Sequence, residues 1–493
     1  MSVMSIITIH KSCSITSAQY TPGANLMEIL RENGYYLDAP CGGNGICGKC
    51  RVLLSRGGKE ETVLACKTFP EGDCTVTIPD DSADLSWNDA ETDGRFEQGR
   101  SGFGAAVDLG TTTVALSLYN LADGQNLGSI SRWNAQKSCG ADVITRIGYC
   151  IDNENGLEEM SNAIRGQISE MLNELCKEHG VQISEVKEMF LAGNTVMQHI
   201  FAGISPVSIA AAPFIPKSYF DDGKPCLLDG IPVYTAPCVA GYVGGDITAG
   251  ILSTHVYRKQ GKALFIDVGT NGEMALGDLS GLTACAVASG PAFEGAGISC
   301  GMPAAFGAVN KVELTEEGLC YEVLGGGEAK GLCGSGLLDL AACLLDLGYI
   351  DESGCLEDDD GGDTFYLTDE VYINQKDIRQ LQLAKAAVAA GIKLLMQAEG
   401  LSFDDIDSLY LAGGFGNRLR PESAVRIGML PKEMLGKIKP AGNTSLSGAQ
   451  QALLNPSLRS ELISIKENCR YIELSSDQSF NDCFVDEMSF PEV

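Results

Sequence analysis

Long hydrophobic runs and positive charge are what this sequence lacks most. An apolar stretch at residues 337–348 is interrupted by Asp339 and Asp346, and no segment reaches the ~18 apolar residues that a membrane span requires. The chain has 35 basic side chains against 65 acidic ones, which gives a formal net charge of -30. Because such a surface repels nucleic acid and anionic membranes, we expect neither as a partner.

Histidine is scarce, and the commonest glycine-rich phosphate motif is missing. The four histidines form no ligand-like pair, which argues against a metal hydrolase. No G-x-x-x-x-G-K-[ST] run occurs, so a nucleotide would have to be held in another way. The opening SIITIHKSCSITS alternates like a strand and does not resemble a secretory signal. With 19 cysteines, we expect a cytoplasmic protein whose thiols stay free or bind metal.

Four cysteines near the beginning of the chain have a spacing suited to an iron–sulfur cluster. Cys41, Cys47 and Cys50 lie in CGGNGICGKC, where glycines would let one loop supply three thiolates. Cys66, on a predicted strand, is the expected fourth ligand, and Cys74 is the alternative. Structural zinc is the competing interpretation, but zinc sites usually combine two C-x2-C pairs and this region has one. The spacing therefore predicts a [2Fe-2S] cluster.

The cysteine segment resembles the cluster loop of plant-type and adrenodoxin-type [2Fe-2S] ferredoxins. The run CGGNGICGKCRV, followed by LACKT, carries this resemblance, and the first interval fits the adrenodoxin kind. The resemblance implies a β-grasp ferredoxin-like domain over residues 1–81. Residues 82–102 lack apolar periodicity and are rich in Ser, Asp, Gly and Glu, which predicts a flexible linker.

Two similar hairpin motifs occur in the rest of the chain, where strand and helix signals alternate. AVDLGTTTVAL begins at Ala106 and FIDVGTNGEMA begins at Phe265. A Gly-Thr turn offers N–H groups and hydroxyls to phosphate, and an Asp at the strand end can hold Mg²⁺ through water. One such motif could be an ordinary hairpin. Their recurrence predicts two α/β subdomains, 103–260 and 261–493, with the C-terminal segment a candidate to return to the first.

A third glycine-rich segment is LYLAGGFGNR at residues 409–418. Gly413, Gly414 and Gly416 would let adenine or ribose lie against the backbone, and the alternative is a closely packed strand-to-helix turn. The three segments together resemble the phosphate-1, phosphate-2 and adenosine loops of the actin, Hsp70 and sugar-kinase superfamily. This resemblance implies a duplicated ribonuclease-H-like ATPase.

The superfamily resemblance assigns roles to particular residues around ATP and Mg²⁺. Residues expected to contact the phosphates come from both hairpin turns and are Gly110, Thr111, Thr112, Thr113, Gly269, Thr270 and Asn271. Asp108 and Asp267 would organise Mg²⁺ and the attacking water. Glu273 and Glu294 are candidates to orient that water, and Asp246 to line the cleft. For these three carboxylates a helix-cap or surface role is the alternative.

A ferredoxin domain tethered to such an ATPase is similar to the reductive activators of corrinoid proteins. The segments NAQKSCGADVITRI, LAGNTVMQHIFAG, GYVGGDITAGIL, ASGPAFEGAGISCG and GLCGSGLLD extend the resemblance over nearly the whole chain. It implies ATP-dependent transfer of one electron from the [2Fe-2S] cluster to the Co(II) corrinoid protein of a methyltransferase system. It also implies a low-potential electron donor and a homodimer. Members of this family often carry an additional middle domain, where this chain has only the linker.

Other functions stay open at the level of sequence. The chain could drive electrons into another low-potential enzyme, phosphorylate a small molecule under redox control, or act as an ATP-binding redox sensor. Cys300 and Cys333 could be imagined as ligands of a subunit-bridging [4Fe-4S] cluster, as in related dehydratase activators, but the sequence favours a small buried apolar role for both.

Overall fold

The computed structural model describes residues 5–11, 14–33, 35, 37, 50–57, 59–78, 95–357, 361–416, 418–475 and 477–492. Cys41, Cys47 and most of the predicted linker lie outside the described residues. The expected ligand roles of these two cysteines and the character of the linker therefore stay predictions.

The N-terminal part is a five-stranded sheet with one helix. Its strands are β1 (Ser5–Lys11), β2 (Ser14–Tyr20), β3 (Arg51–Arg56), β4 (Lys59–Leu64) and β5 (Cys74–Ile78), and its helix is α1 (Leu26–Glu32). The strand order is β2-β1-β5-β3-β4, with β1 and β5 parallel and the other pairs antiparallel. Alternation along β1 buries Ile7 and Ile9, which share a core with Leu30 of α1. This is the expected β-grasp arrangement.

The first subdomain of the larger part is built on a six-stranded sheet. Its strands are β6 (Phe103–Leu109), β7 (Thr113–Asn120), β8 (Asn126–Trp133), β9 (Val186–Gly193), β10 (Cys226–Leu228) and β11 (Ile231–Thr235). Its helices are α2 (Val143–Asp152), α3 (Gly156–Glu178), α4 (Thr195–Phe201) and α5 (Gly245–Thr254). The order is β10-β11-β9-β6-β7-β8, and α3 packs against β7.

The second subdomain repeats this plan with a further small sheet. Its strands are β12 (Lys262–Val268), β13 (Gly272–Asp278), β14 (Gly281–Val287), β15 (Ala308–Thr315), β16 (Gly318–Val323), β17 (Gly331–Leu332), β18 (Thr364–Tyr366), β19 (Tyr372–Asn374), β20 (Ile406–Ala412), β21 (Ile438–Gly442) and β22 (Cys469–Tyr471). Its helices are α6 (Gly334–Leu347), α7 (Gln375–Glu399), α8 (Gly413–Gly416), α9 (Pro421–Arg426), α10 (Thr444–Leu454), α11 (Leu458–Glu467) and α12 (Gln478–Asp486).

The two large sheets share one strand order, which confirms the internal duplication. The order β9-β6-β7-β8 in the first sheet corresponds to β20-β12-β13-β14 in the second. In each, three consecutive strands form an antiparallel meander, and the fourth lies parallel to the first of them. Both predicted hairpin motifs, β6–β7 and β12–β13, therefore occupy equivalent places.

Two helices lie between the subdomains. α10 packs against α5 and also against β6 and β9 of the first sheet. The approach is close because Gly448 has no side chain: a Cβ there would lie 2.1 Å from the carbonyl oxygen of Ala249. A helix from the C-terminal segment thus contacts the first subdomain. None of the helices in the described ranges is long and apolar enough to span a membrane.

Candidate functional site

The turn between β6 and β7 accepts hydrogen bonds from side chains elsewhere in the first subdomain. Within the turn, the N–H of Gly110 donates to the carbonyl of Thr113. Asn134 donates from Nδ2 to the Gly110 carbonyl at 2.8 Å. Asn194 donates from Nδ2 to Oγ1 of Thr111 at 2.8 Å. Since an amide NH₂ only donates, the Thr111 hydroxyl accepts here and keeps its own proton for an oxygen in the cleft.

Arg146 supports the same turn from below. The residue is completely buried, and its guanidinium donates to the carbonyls of Thr111 at 2.6 Å and Gly140 at 3.1 Å and to Oε1 of Gln136 at 3.2 Å. Burial lowers the pKa of Arg146 to about 10, an effect that nearby acidic groups, including Glu294, oppose. A buried positive charge therefore lies directly behind the first phosphate turn, where it favours an anion.

The turn between β12 and β13 is the equivalent element of the second subdomain. The N–H of Gly269 donates to the carbonyl of Asn271 at 2.8 Å. Ser289, which follows β14, is buried and donates to the carbonyls of Gly269 and Thr270 at 3.1 and 3.2 Å. The backbone carbonyls of this turn are thus engaged from behind, as in the first subdomain.

Four carboxylates from both subdomains converge beside these turns. Asp108 is the last residue but one of β6, and Asp267 is the last but one of β12. Glu273 lies opposite Asp267 on β13, and Asp246 lies in the first turn of α5. Desolvation and then repulsion from Asp267 and Asp108 raise the pKa of Asp246 to about 8. Desolvation and then Asp108 raise the pKa of Asp267 to about 7. Burial, with Asp246 and Asp267, raises the pKa of Glu273 well above its ordinary value.

Asp108 is held by the second subdomain. Its carboxylate accepts hydrogen bonds from Nδ2 of Asn443 at 2.8 Å and from Oγ of Ser445 at 2.6 Å. Both donors lie at the N-terminus of α10, where Asn443 also caps the helix through the N–H of Leu446. Desolvation raises the pKa of Asp108, and the bonds from Ser445 and Asn443 oppose that rise. No motif in the sequence pointed to Asn443 or Ser445.

The third predicted loop is a strand followed by a helical turn. β20 ends at Ala412, and Gly413, Gly414 and Gly416 lie in α8. Gly413 has a φ of +85°, and a Cβ there would lie 2.4 Å from Oδ1 of Asp267. Close packing against Asp267 therefore requires glycine at this position. Contact of these glycines with an adenosine stays a prediction.

Glu294 connects the two phosphate turns. Its Oε2 accepts from Oγ1 of Thr112 at 2.8 Å, and its Oε1 accepts from Oγ1 of Thr270 at 2.8 Å. The neighbouring Phe293 stacks on Phe415 of α8, with ring centroids 4.7 Å apart. The segment that carries Glu294 thus contacts all three elements that the sequence analysis singled out.

The donor set of this cleft fits Mg²⁺ together with a triphosphate. No ion pair formed by the described residues includes Asp108, Asp246, Asp267 or Glu273. Protons or a cation would therefore relieve the repulsion that remains beside the hydrogen bonds to Asp108. Within the described part of the chain no three acidic, cysteine or histidine groups are placed to ligate one metal ion. Mg²⁺ usually keeps several waters and binds through one or two carboxylates plus phosphates, which suits such a site.

The described cysteines of the N-terminal part lie in two places. Cys50 precedes β3 and Cys66 lies in a 3-10 turn after β4, not on a strand as predicted, and their Sγ atoms are 3.2 Å apart. Two thiolates on one tetrahedral metal, at about 2.3 Å each, lie about 3.7 Å apart, so this pair fits a metal–thiolate centre. The position of Cys74 follows from the pairing of β3 with β5, in which Ser55 faces Thr75.

That register places Cys74 at the far end of β3. Continuing the pairing puts Cys74 opposite Arg56, so the distance from Cys50 along the strand is about 20 Å at the usual rise per residue. Cys74 is buried, and burial raises the pKa of its thiol. The alternative of Cys74 as the fourth ligand therefore has no support in the geometry. Cys333 of the second subdomain is also buried, and its Sγ contacts the Val309 carbonyl at 3.4 Å.

Comparison with known proteins finds matches over most of the chain. Three family models match: the 2Fe-2S iron-sulfur cluster binding domain at residues 11–71, the RACo middle region at 103–259, and the C-terminal domain of RACo, the ASKHA domain, at 261–493. The middle-region match falls on the first subdomain described above and not on an additional domain before it.

Individual relatives agree with these matches. The chain is 31% identical to the corrinoid activation enzyme RamQ of Eubacterium limosum over 78% of this chain and 69% of the relative. It is 24% identical to the [Co(II) methylated amine-specific corrinoid protein] reductase of Methanosarcina barkeri, over 79% and 77%. A solved structure described as a reductive activator for corrinoid,iron-sulfur protein superposes with a TM-score of 0.73 at 32% identity, covering 99% and 98%.

The fold and the matches define an iron–sulfur protein with a ferredoxin domain and an ATPase domain of the actin, Hsp70 and sugar-kinase superfamily. Within that class, the chain belongs to the family of reductive activators of corrinoid proteins.

Proposed function

We propose that this protein uses ATP to pass one electron from its [2Fe-2S] cluster to an inactive Co(II) corrinoid protein of a methyltransferase system, which becomes Co(I). The proposal is carried by one observation: a cleft with two Gly-Thr turns and four converging carboxylates lies on the same chain as a cluster-binding domain. Relatives named for corrinoid activation and corrinoid-protein reduction support it.

We propose a role for each of the cleft residues, and their placement supports these roles. One end of the phosphates would contact the first turn, at Gly110, Thr111, Thr112 and Thr113. The other end would contact the second turn, at Gly269, Thr270 and Asn271. Asp108 and Asp267 would hold Mg²⁺ through its waters, with Asp246 beside them. Glu273 orients the attacking water, and Gly413, Gly414 and Gly416 border the adenosine. The acidic groups of the cleft need the cation because they repel one another.

At the other end of the chain, we propose Cys41, Cys47, Cys50 and Cys66 as the cluster ligands. The 3.2 Å approach of the Cys50 and Cys66 thiols supports this set over one that contains Cys74. When bound, the cluster supplies single electrons, and a low-potential donor in a reducing cytoplasm replaces each one. The backbone holds Cys50 and Cys66 near each other, because the N–H of Ala65, which precedes Cys66, donates to the Cys50 carbonyl at 2.8 Å.

ATP can help an uphill reduction only by favouring one state of the complex. A one-electron deficit of ~59 mV costs about 1.4 kcal/mol, and a ligand shifts an equilibrium only by its differential affinity for two states. Both subdomains contribute to the cleft, since Asp108 is held by Asn443 and Ser445. We therefore propose that closure around ATP controls the affinity for the corrinoid protein. The corrinoid protein would form a complex with a homodimer of this chain.

The test is anaerobic reduction of a corrinoid protein. The cluster-reconstituted full chain is mixed with a reductant and a Co(II) corrinoid protein, and Co(I) absorption is followed with and without Mg-ATP. We expect ATP-dependent Co(I) that is lost in Cys50→Ala and Asp267→Ala and kept in Cys320→Ala, which changes an exposed cysteine. ATP binding without Co(I) from any of several corrinoid proteins would refute the proposal.

A further inference from the structure

Glu294 holds the two hydroxyls that a triphosphate in this cleft would need. Thr112 and Thr270, from different subdomains, each donate to one of its carboxylate oxygens at 2.8 Å. We infer that Glu294 is an internal competitor for the phosphate site and that nucleotide binds by displacing its carboxylate. The inference rests on the proposed function in one respect, that ATP is the ligand of the cleft.

Hydrogen-bond stoichiometry makes the competition obligatory. A threonine hydroxyl has one proton to donate, and an ionised carboxylate can only accept. While Thr112 and Thr270 donate to Glu294, neither proton is available to a phosphate oxygen. Phosphate and carboxylate are both anions, so a phosphate near Glu294 would also be repelled by it. The two acceptors therefore exclude each other at these hydroxyls.

The backbone around Glu294 is suited to such a displacement. Glu294 ends the 3-10 segment Pro291–Glu294, which lies between Gly290 with a φ of 75° and Gly295 with a φ of 79°. Both glycines have a positive φ, which other residues disfavour. Glu294 is itself half-buried, so its carboxylate can exchange the threonine hydroxyls for water at the cleft edge.

The segment also connects the phosphate site to the rest of the second subdomain. Ser289, just before it, donates to the carbonyls of Gly269 and Thr270. Phe293, inside it, is buried and stacks on Phe415 at 4.7 Å. A Cβ on Gly334, the first residue of α6, would lie 1.9 Å from the Phe293 carbonyl. Movement of Glu294 would therefore alter the contacts of this segment with α8 and with the start of α6.

Electrostatic attraction to Arg146 favours the Glu294 carboxylate at the turn when no nucleotide is bound. Arg146 lies behind the first turn, and Glu294 is among the acidic groups that oppose the fall of its pKa. The same buried guanidinium would favour a phosphate that replaced the carboxylate. The buried cation therefore attracts whichever of the two anions occupies the turn.

The experiment compares nucleotide binding by Glu294→Gln with that of the unaltered protein. The glutamine keeps the size and one acceptor oxygen but removes the charge. We expect the dissociation constant of a non-hydrolysable Mg-ATP analogue, measured by calorimetry on the full cluster-containing chain, to fall about tenfold, because a competing state is depopulated. KM for ATP should fall with it, and kcat should change less than KM.

Glu317→Gln is the matched control, because it removes the same charge from an exposed turn between β15 and β16, and it should leave the dissociation constant unchanged. Equal or weaker nucleotide binding by Glu294→Gln would overturn the inference, and a large fall in kcat at unchanged affinity would make Glu294 a water-orienting residue instead. If the unaltered protein bound no Mg-ATP, the proposed function would fail as well, so the two failures are distinguishable.

Discussion

Asn443 donates a hydrogen bond of 2.8 Å to the carboxylate of Asp108, although 335 positions separate the two residues in the chain. Ser445 donates to the other carboxylate oxygen at 2.6 Å. Since Asp108 belongs to the first subdomain and α10 follows β21 of the second, these bonds join the two halves of the cleft at its most acidic point. The positive end of α10 adds to their effect.

Ser445→Ala should weaken ATP hydrolysis by misplacing Asp108. A hydrogen bond to a charged group contributes about 1.5–3 kcal/mol, so kcat/KM should fall about tenfold to a hundredfold. Ser445→Thr keeps the hydroxyl and should restore most of the activity. Steady-state ATP hydrolysis measures the effect, and equal losses in the alanine and threonine variants would show that the hydroxyl has no part in it.

Asp246 should make the protein less stable as pH rises in the absence of divalent cations. Its pKa is raised from 3.8 to about 8, so between those values the folded chain holds a proton that the unfolded chain has lost. The resulting stabilisation is complete below a pH of about 3.8, declines as pH rises through this interval, and is lost once the pH has passed the folded pKa of about 8. Asp246→Asn should flatten this trend.

Thermal unfolding in EDTA between pH 6 and 8.5 tests the prediction for Asp246. A free-energy difference of 1 kcal/mol corresponds to about 2–4 °C in Tm for a domain of this size, and we expect a separation of at least that size at the upper end. Added Mg²⁺ should raise the Tm of the unaltered protein most at high pH. Parallel curves for the two proteins would contradict the assignment.

Arg146→Lys should be strongly destabilising despite the conserved charge. Lysine lacks the planar fork that reaches the carbonyls of Thr111 and Gly140 together. Each buried acceptor left without its donor costs about 1–3 kcal/mol. Chemical denaturation should show the loss, with weaker ATP binding in parallel. Arg258→Lys, in a half-exposed pair with Glu461, is the control and should be nearly neutral.

Cys66→Ser should abolish the [2Fe-2S] cluster, whereas Cys74→Ser should leave it intact. The two cysteines lie at opposite ends of β3, and only Cys66 is within 3.2 Å of the Cys50 thiol. Visible absorption and electron paramagnetic resonance of the reconstituted proteins distinguish them. Loss of the cluster in Cys74→Ser alone would exchange the two assignments.

Gly413→Ala should impair ATP binding beyond its effect on stability. Its Cβ would lie 2.4 Å from Oδ1 of Asp267 at a φ of +85°. Gly203→Ala is matched for backbone strain, since its φ is +69° and no atom lies within 4 Å of the new Cβ. Both should lose about 1 kcal/mol from strain, and only Gly413→Ala should raise the dissociation constant for ATP. Equal affinities would show that the contact between residue 413 and Asp267 does not affect ATP binding.

The sequence was most informative where chemistry depends on adjacent residues. Asp108 and Gly110, like Asp267 and Gly269, are separated by one apolar position, and that local spacing is enough to predict a hairpin with an acidic end. The duplicated sheets follow from the recurrence of this motif. The cysteine loop is equally local, and its family match confirms a cluster-binding domain.

Residues that act across long distances in the chain were missed. Asn443, Ser445 and Arg146 show no local pattern, because what defines each is a partner on another element. One signal for Asn194 was available: FLAGN and YLAGG begin at equivalent places on β9 and β20, so Asn194 corresponds to Gly414. Glu294 was found by motif, but its contact with both threonines could not be predicted without the fold.

The nearness of Cys50 and Cys66 has a practical consequence for handling the protein. Two thiols 3.2 Å apart need to move by only about 1 Å to reach the ~2.05 Å bond length of a disulfide. In air, a chain that has lost its cluster would therefore crosslink itself at this point and lose two thiolates at once. Rebuilding the cluster would then begin with reduction by a dithiol, before any iron or sulfide is added.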